Sequence, residues 1–109
     1  MENKTKAWAG LDKVTENAIA QFKAIAPLHT IEFVPISHSR LEFYVFYKTN
    51  EDLKTSTNDK TSESAEQIIE QELEKIGRGT KNGVEVRFEF DSHENVLEKF
   101  DGSYQMRLR

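Results

Sequence analysis

The clearest element in the sequence is a segment in which apolar and charged residues alternate without interruption, from Val84 to Phe90. A two-residue period places successive side chains on opposite sides of an extended backbone, so the pattern predicts a half-buried β-strand. One side of this strand is apolar. Its other side carries the charged residues Glu85, Arg87 and Glu89.

Two earlier segments also predict strands. The first, Thr30 to Ile36, contains Pro35 near its end, which indicates an edge strand or a bulge because proline has no amide hydrogen for the ladder. The second, Leu41 to Lys48, has one apolar face, and its other face carries the aromatic residues Tyr44 and Phe46. That second face is either packed within the sheet or a contact surface for a partner.

Apolar residues at three- and four-residue spacing predict a first amphipathic helix from Thr5 to Ala26. Trp8 is in phase with its apolar stripe, so we expect it to be a core residue. The helix should end before Pro27, because proline disfavours helical geometry at the residue that precedes it.

A second helix is predicted from about Ser64 to Ile76. Ser64 and the glutamine three residues later form a capping-box pattern, and Ser62 is the alternative cap. Gly77 and Gly79 terminate the helix. Acidic side chains lie on or beside its outer face: Glu63, Glu66, Glu70 and Glu74.

Two segments have less regular patterns. Residues 50–61 are rich in Thr, Ser, Asn, Asp and Lys and contain one large apolar residue, Leu53, which predicts a polar, mobile loop. Val96 to Phe100 fits either a strand or a short helix, and Asp101-Gly102 after it favours a strand because this dipeptide is typical of two-residue hairpins. The last run, Ser103 to Arg109, alternates again.

These elements predict one α+β domain over residues 1–109, in the order α-β-β-α-β-β(β). We expect two helices packed on one face of a mostly antiparallel sheet. A chain of 109 residues is sufficient for one hydrophobic core.

Charge is unevenly distributed along the chain. Between Glu51 and Glu74 there are eight acidic residues and two lysines, a net charge of −6 in a chain whose total is −4. Nucleic-acid binding is not expected, because such proteins usually need a basic face. The acidic segment is either a solvated surface or a surface that faces a basic protein.

Several residue types and motifs are absent from the sequence, and their absence indicates where the protein resides and which reactions it is not expected to catalyse. There is no cysteine, no long apolar run and no signal-peptide pattern, so we expect a cytoplasmic protein without membrane association. The histidines, His29, His38 and His93, lack the spacing of a metal site, and Gly77-Arg78-Gly79 is not a phosphate-binding loop. We therefore expect no cofactor and no catalytic residues.

One enzymatic alternative is a small enzyme that uses carboxylates on the polar face of the sheet. Arg87 and Arg107 would lie near these groups and shift their pKa values, although cross-strand ion pairing explains the same pattern. The carboxylates concerned are Glu32, Glu42, Glu85 and Glu89.

In the order of its elements the chain resembles small bacterial immunity proteins of polymorphic toxin systems, of the YezG-like kind. The features that carry this resemblance are the aromatic strand Phe43-Tyr44-Val45-Phe46-Tyr47, the polar segment after it, the acidic helix and the Val86–Phe90 strand before an Asp-Gly turn. The resemblance implies a non-catalytic inhibitor that binds a cognate toxin domain, and an acidic helix would suit a basic toxin.

Our main hypothesis is therefore a small soluble protein that binds a protein partner. The contact surface would combine Glu63, Glu66, Glu70 and Glu74 of the acidic helix with Tyr44 and Phe46 of the second strand. The alternative is a homo-oligomeric interaction domain, for example a homodimer, that associates through edge strands and the face carrying Tyr44 and Phe46.

Overall fold

The computed structural model describes residues 9–109 and has an α+β fold, as predicted. Trp8 and the start of the predicted first helix lie outside the described residues. The elements, in chain order, are α1 (Leu11–Lys23), β1 (Leu28–Ser37), β2 (Arg40–Tyr47), α2 (Asn50–Asn58), α3 (Thr61–Lys75), a 3-10 turn (Thr80–Asn82), β3 (Glu85–Ser92), α4 (His93–Phe100) and α5 (Tyr104–Arg107).

The three strands form one mixed sheet in the order β1-β2-β3. β1 and β2 are an antiparallel hairpin, whereas β3 lies parallel to β2. The prediction of a mostly antiparallel sheet is therefore wrong for β3, because α2 and α3 carry the chain back across the sheet between β2 and β3. β1 is an edge strand with a register shift between Pro35 and Ser37, which agrees with the position predicted from Pro35.

The main core lies on the sheet face that the alternating patterns predict to be apolar. Phe33, Phe43 and Phe88 are aligned across the three strands and contribute to this core. The helices α1 and α3 supply apolar side chains from above the same face. The buried residues of these helices are Leu11, Val14, Ala18, Phe22, Ala65, Ile69 and Leu73.

A second, smaller core lies on the opposite face of the sheet. Buried Tyr44, Phe46 and Val96 form its centre, and Phe100 and Tyr104 pack around them. The helices α4 and α5 cover this face. The predicted strand at 96–100 lies within α4, and α5 occupies the middle of the alternating run 103–109, so both segments are helical instead of extended.

Asp101-Gly102 does not form a hairpin. Both residues have left-handed backbone angles, with φ of 51° and 80°, as the hairpin turn would require. Here they terminate α4 instead, and the Gly102 amide donates to the Val96 carbonyl at 2.9 Å. An Asp-Gly dipeptide fits either a hairpin turn or the C-terminus of a helix. The helical spacing of Val96 and Phe100 selects the helix C-terminus here.

The predicted loop at 50–61 is also replaced by regular structure. Asn50–Asn58 forms α2, whose first turn is capped by the Thr49 hydroxyl, which accepts from the Asp52 amide at 3.0 Å. After a short turn, α3 begins at Thr61, three residues before the predicted cap Ser64. Capping at Ser64 is therefore wrong. The Ser62 side chain is buried beneath α3 and lies 2.8 Å from the Tyr47 hydroxyl.

Candidate protein-binding surface

The acidic side chains predicted on the second helix share one side of α3. Their spacing of three and four residues places them in a row along the helix. We refer to this row as the acidic stripe; it consists of Glu63, Glu66, Glu70 and Glu74. Glu63 and Glu74 are exposed, and Glu66 and Glu70 are partly exposed.

The two halves of the acidic stripe differ in their contacts. Glu70 accepts hydrogen bonds from the Thr80 hydroxyl at 2.6 Å and from the Thr80 amide at 3.4 Å. Glu74 forms an ion pair with Lys81 at 3.4 Å. Within residues 9–109, no side-chain hydrogen bond or ion pair involves Glu63 or Glu66. The first half of the stripe therefore has the carboxylates that a partner can bind without breaking internal contacts.

The pKa of Glu66 is raised above its ordinary value. Partial burial is the main cause, and the negative charges of Glu63 and Glu70 add to it. Both effects disfavour the ionised form of the carboxyl group. A positive charge placed near Glu66 would offset this repulsion and favour the ionised form of its carboxyl group.

The stripe lies on the side of α3 that faces away from α1. Glu72, which lies on the opposite side of α3, accepts hydrogen bonds from Asn17 and Gln21 of α1. Glu70 instead contacts Thr80, in the turn that leads into β3. Since positions 70 and 72 are about 200° apart around a helix, these contacts fix the stripe on the side away from α1.

Tyr44 and Phe46 are not part of this surface. Their exposed fractions are 7% and 0%, and the C-terminal helices cover them. They also lie on the face of the sheet opposite to α3, so no partner can contact them together with the acidic stripe in this structure. The prediction that they are exposed contact residues is wrong, because side-chain alternation specifies the face of a strand but not what covers it.

The aromatic residues pack beneath a partly buried charge cluster, in which Arg107 lies near Glu89, as the sequence predicts, and also bonds Asp91, which the sequence did not indicate. The Arg107 Nε donates to Asp91 at 2.6 Å, and a second nitrogen of Arg107 lies 3.3 Å from Glu89. The guanidinium carbon is 5.5 Å from the Tyr44 ring centroid and 5.9 Å from that of Phe46. This cluster attaches α5 to the sheet, because both charge pairing and cation–π contact act on one side chain.

The carboxylates considered for catalysis do share the second face of the sheet. Glu85 pairs with Arg87 at 2.7 Å and with Arg40 at 3.1 Å. These hydrogen bonds, first with Arg87 and then with Arg40, lower the pKa of Glu85. A cavity of about 200 Å³ is lined by Glu42, Arg87, Phe88 and Glu89.

Tyr44 and Glu42 are linked on this face. The Tyr44 hydroxyl donates to Glu42 at 2.7 Å, and burial followed by this hydrogen bond raises the pKa of Tyr44 to about 12. A carboxylate used as a general base would instead need a free position beside it for the substrate. The contacts of Glu42 and Glu85 are those of structural pairing.

Two of the three histidines meet, although they are distant in sequence. The rings of His29 and His93 stack with centroids 3.9 Å apart, and Nδ1 of His93 lies 2.7 Å from the Tyr104 hydroxyl. Burial, followed by the charges of His93 and Lys48, lowers the pKa of His29. Among residues 9–109 no group of three His, Cys, Asp or Glu side chains is placed to hold a metal ion.

Comparison with known proteins gave no match to any family model, curated protein or solved structure. Among the described residues no helix is both long enough and apolar enough to cross a membrane.

Proposed function

We propose that this chain is a non-catalytic binding protein that attaches to a basic protein through the acidic stripe of α3. The observation that supports it most is that the acidic side chains Glu63 and Glu66 have no hydrogen-bond or ion-pair partner within residues 9–109. The raised pKa of Glu66 agrees with this, because, besides partial burial, it reflects neighbouring negative charges that are not neutralised. Like charges held together on a helix reduce stability by a few tenths of a kcal/mol per pair, about 0.2–0.5. A partner of opposite charge would remove this repulsion when it binds, so the surface is suited to such a partner.

The biological role that fits this surface is that of an immunity protein in the bacterial cytoplasm, whose partner is a basic toxin domain. Complementary charge raises the association rate of two proteins. An inhibitor that protects the cell needs fast association, because it must bind the toxin before the toxin reaches its target. The resemblance to YezG-like proteins supports the same role.

The apolar part of the contact surface must come from β3 rather than β2. Val86, Phe88 and Phe90 are only partly buried, and they lie on the sheet face that α3 covers. They replace Tyr44 and Phe46 in the proposed surface. An interface needs such apolar contacts because charge alone gives specificity and association rate more than affinity.

Affinity capture from a native cell lysate tests the proposal. We expect the wild-type chain to retain a basic protein that is released as the salt concentration rises, because screening weakens contacts between exposed charges. The double variant Glu63→Lys/Glu66→Lys should lose this protein. The matched control, Glu16→Lys/Glu98→Lys, makes the same change in net charge at exposed positions on α1 and α4 and should retain it.

Equal capture by the two double variants would contradict the proposal. It would mean that total charge, rather than the position of the acidic stripe, determines binding. Thermal unfolding of each variant should be recorded beforehand, since Glu63 lies in the first turn of α3 and also interacts favourably with the helix dipole.

A further inference from the structure

The outer edge of β3 has unpaired backbone groups. β3 is the last strand in the order β1-β2-β3, and within residues 9–109 no strand other than β2 pairs with it. The amide of Glu85 donates towards β2, to the Ser39 carbonyl at 2.8 Å. Because backbone groups alternate in direction along a strand, those of Val86, Phe88 and Phe90 point outward.

The two edges of the sheet are protected differently. β1 carries Pro35 and has two register shifts, features that hinder pairing with another strand. β3 has neither a proline nor a register shift over its eight residues. An edge strand that is long and regular is a template for an additional strand.

The charge beside this edge determines what kind of strand can bind. The acidic stripe lies on the side of α3 away from α1, because Glu72 on the opposite side contacts Asn17 and Gln21, and its Glu70 contacts Thr80 in the turn before β3. An added strand would place alternate side chains next to Val86, Phe88 and Phe90, on the sheet face that carries α1 and α3. A lysine or arginine at these positions can rest its aliphatic stem on the apolar residues and reach the carboxylates with its charged end.

We propose that the outer edge of β3 receives an extended basic segment of the partner, which adds a fourth strand to the sheet and directs alternate Lys or Arg side chains towards Glu63 and Glu66. This inference rests on the proposed function and specifies how the partner binds. Backbone pairing provides affinity, and the alternation of basic residues provides specificity.

A second copy of this chain fits the same edge poorly. Antiparallel pairing of two β3 strands would bring both acidic stripes towards the shared axis. Four carboxylates from each copy would then face each other, and like charges across an interface oppose association. We therefore expect the free protein to sediment as a monomer.

The direct test uses a synthetic nine-residue peptide of alternating Lys and Thr with blocked ends. Its control is the same peptide methylated at every backbone nitrogen, which keeps the charge but cannot donate a ladder hydrogen bond in either strand direction. Fluorescence anisotropy should show that the Lys–Thr peptide binds at least about tenfold more tightly, a difference that one to two hydrogen bonds explain. Equal affinity for the two peptides would overturn the inference.

Val86→Pro removes one outward amide from β3 and leaves the bonds to β2 in place. We expect it to weaken binding of the Lys–Thr peptide about tenfold, whereas Val86→Ala, which keeps the amide, should bind within about threefold of the wild type. If Val86→Pro does not fold, hydrogen exchange of wild-type protein replaces it. Peptide binding should slow exchange of the Val86 and Phe88 amides, and unchanged exchange at both would contradict strand addition.

The two proposals fail in different ways. If Glu63→Lys/Glu66→Lys weakens binding of both peptides while Val86→Pro changes nothing, the acidic surface remains and strand addition is overturned. If the charge reversal has no effect on either peptide, the acidic surface itself is overturned. A dimer that Val86→Pro dissociates would identify a second copy as the occupant and also overturn the inference.

Discussion

Glu70 and Glu72 are two residues apart in one helix, and they have different functions. Glu72 is only 4% exposed and accepts hydrogen bonds from Asn17 at 3.1 Å, Gln21 at 2.8 Å and Lys75 at 2.9 Å. It therefore joins α3 to α1. The charge count of the sequence includes Glu72 with the surface acids, because counting charges does not reveal which carboxylates are buried.

The pKa of Glu72 is lowered from its ordinary value of 4.5, mainly by the hydrogen bond with Lys75 and further by those with Gln21 and Asn17, although burial alone would raise it. A carboxyl group with a lowered pKa in the folded state contributes stability above its unfolded-state pKa. That contribution is lost as the pH falls through the folded-state pKa.

We predict that Glu72→Gln lowers the free energy of unfolding at pH 7 by about 1–3 kcal/mol, since a charged hydrogen-bond acceptor is replaced. The variant should also lose less stability than the wild type between pH 5 and pH 3, because the ordinary pKa of 4.5 lies in this window and the folded-state pKa of Glu72 lies below it. Urea unfolding at several pH values measures both effects. Glu98→Gln, on the exposed face of α4, is the control, and a wild-type slope in Glu72→Gln would refute the assignment.

Among the elements, the three strands of the sheet lie close to their predicted positions, whereas the predicted strand at 96–100 and the predicted loop at 50–61 form short helices. β2 and β3 combine alternation with aromatic and β-branched residues, two signals that agree. Six of the nine residues of α2 are Asn, Asp, Thr or Ser, which have low helix propensity, and groups outside the helix help to stabilise it. Thr49 caps its first turn, and the Glu94 carboxylate accepts from the Asn50 amide at 2.8 Å.

α4 depends on Ser92 in a similar way. The Ser92 hydroxyl accepts from the Asn95 amide at 3.0 Å and donates to the side chain of Asn50, so one buried residue caps α4 and contacts α2. The sequence could not show the link to Asn50, which lies 42 residues earlier.

We predict that Ser92→Ala destabilises the protein by about 1–2 kcal/mol, because it removes an N-cap. In contrast, Ser64→Ala should be neutral or slightly stabilising, since Ser64 lies inside α3 and alanine has the higher helix propensity. Chemical denaturation of both variants compares these positions. A larger loss for Ser64→Ala than for Ser92→Ala would support the start of α3 predicted from sequence.

At the scale of the whole molecule, the sheet separates two layers of helices. The helices α1 and α3 pack on the main core, and α4 and α5 cover the smaller core on the other face. The sequence predicts the first layer because its helices have long apolar stripes. It misses the second layer because α4 and α5 span eight and four residues, too few for a periodic pattern to be distinguished from a strand.

This separation also explains why, of the predicted contact residues, the acidic ones are accessible at the surface and the aromatic ones are buried. The acidic stripe is a property of one helix and can be read from residue spacing. Exposure of Tyr44 and Phe46 depends on whether α4 and α5 fold over them, and this involves contacts between distant parts of the chain. The β3 edge, which depends on strand order, could likewise not be located from the sequence.

The most direct test of the acidic stripe as a docking surface is the association rate of the captured basic protein, measured by stopped flow at several ionic strengths. We predict that Glu63→Lys/Glu66→Lys slows association at low salt by about tenfold or more and reduces its salt dependence, because steering depends on where the charges lie. Glu16→Lys/Glu98→Lys should have a much smaller effect. Equal rates and equal salt dependence in the two double variants would contradict a docking role for α3.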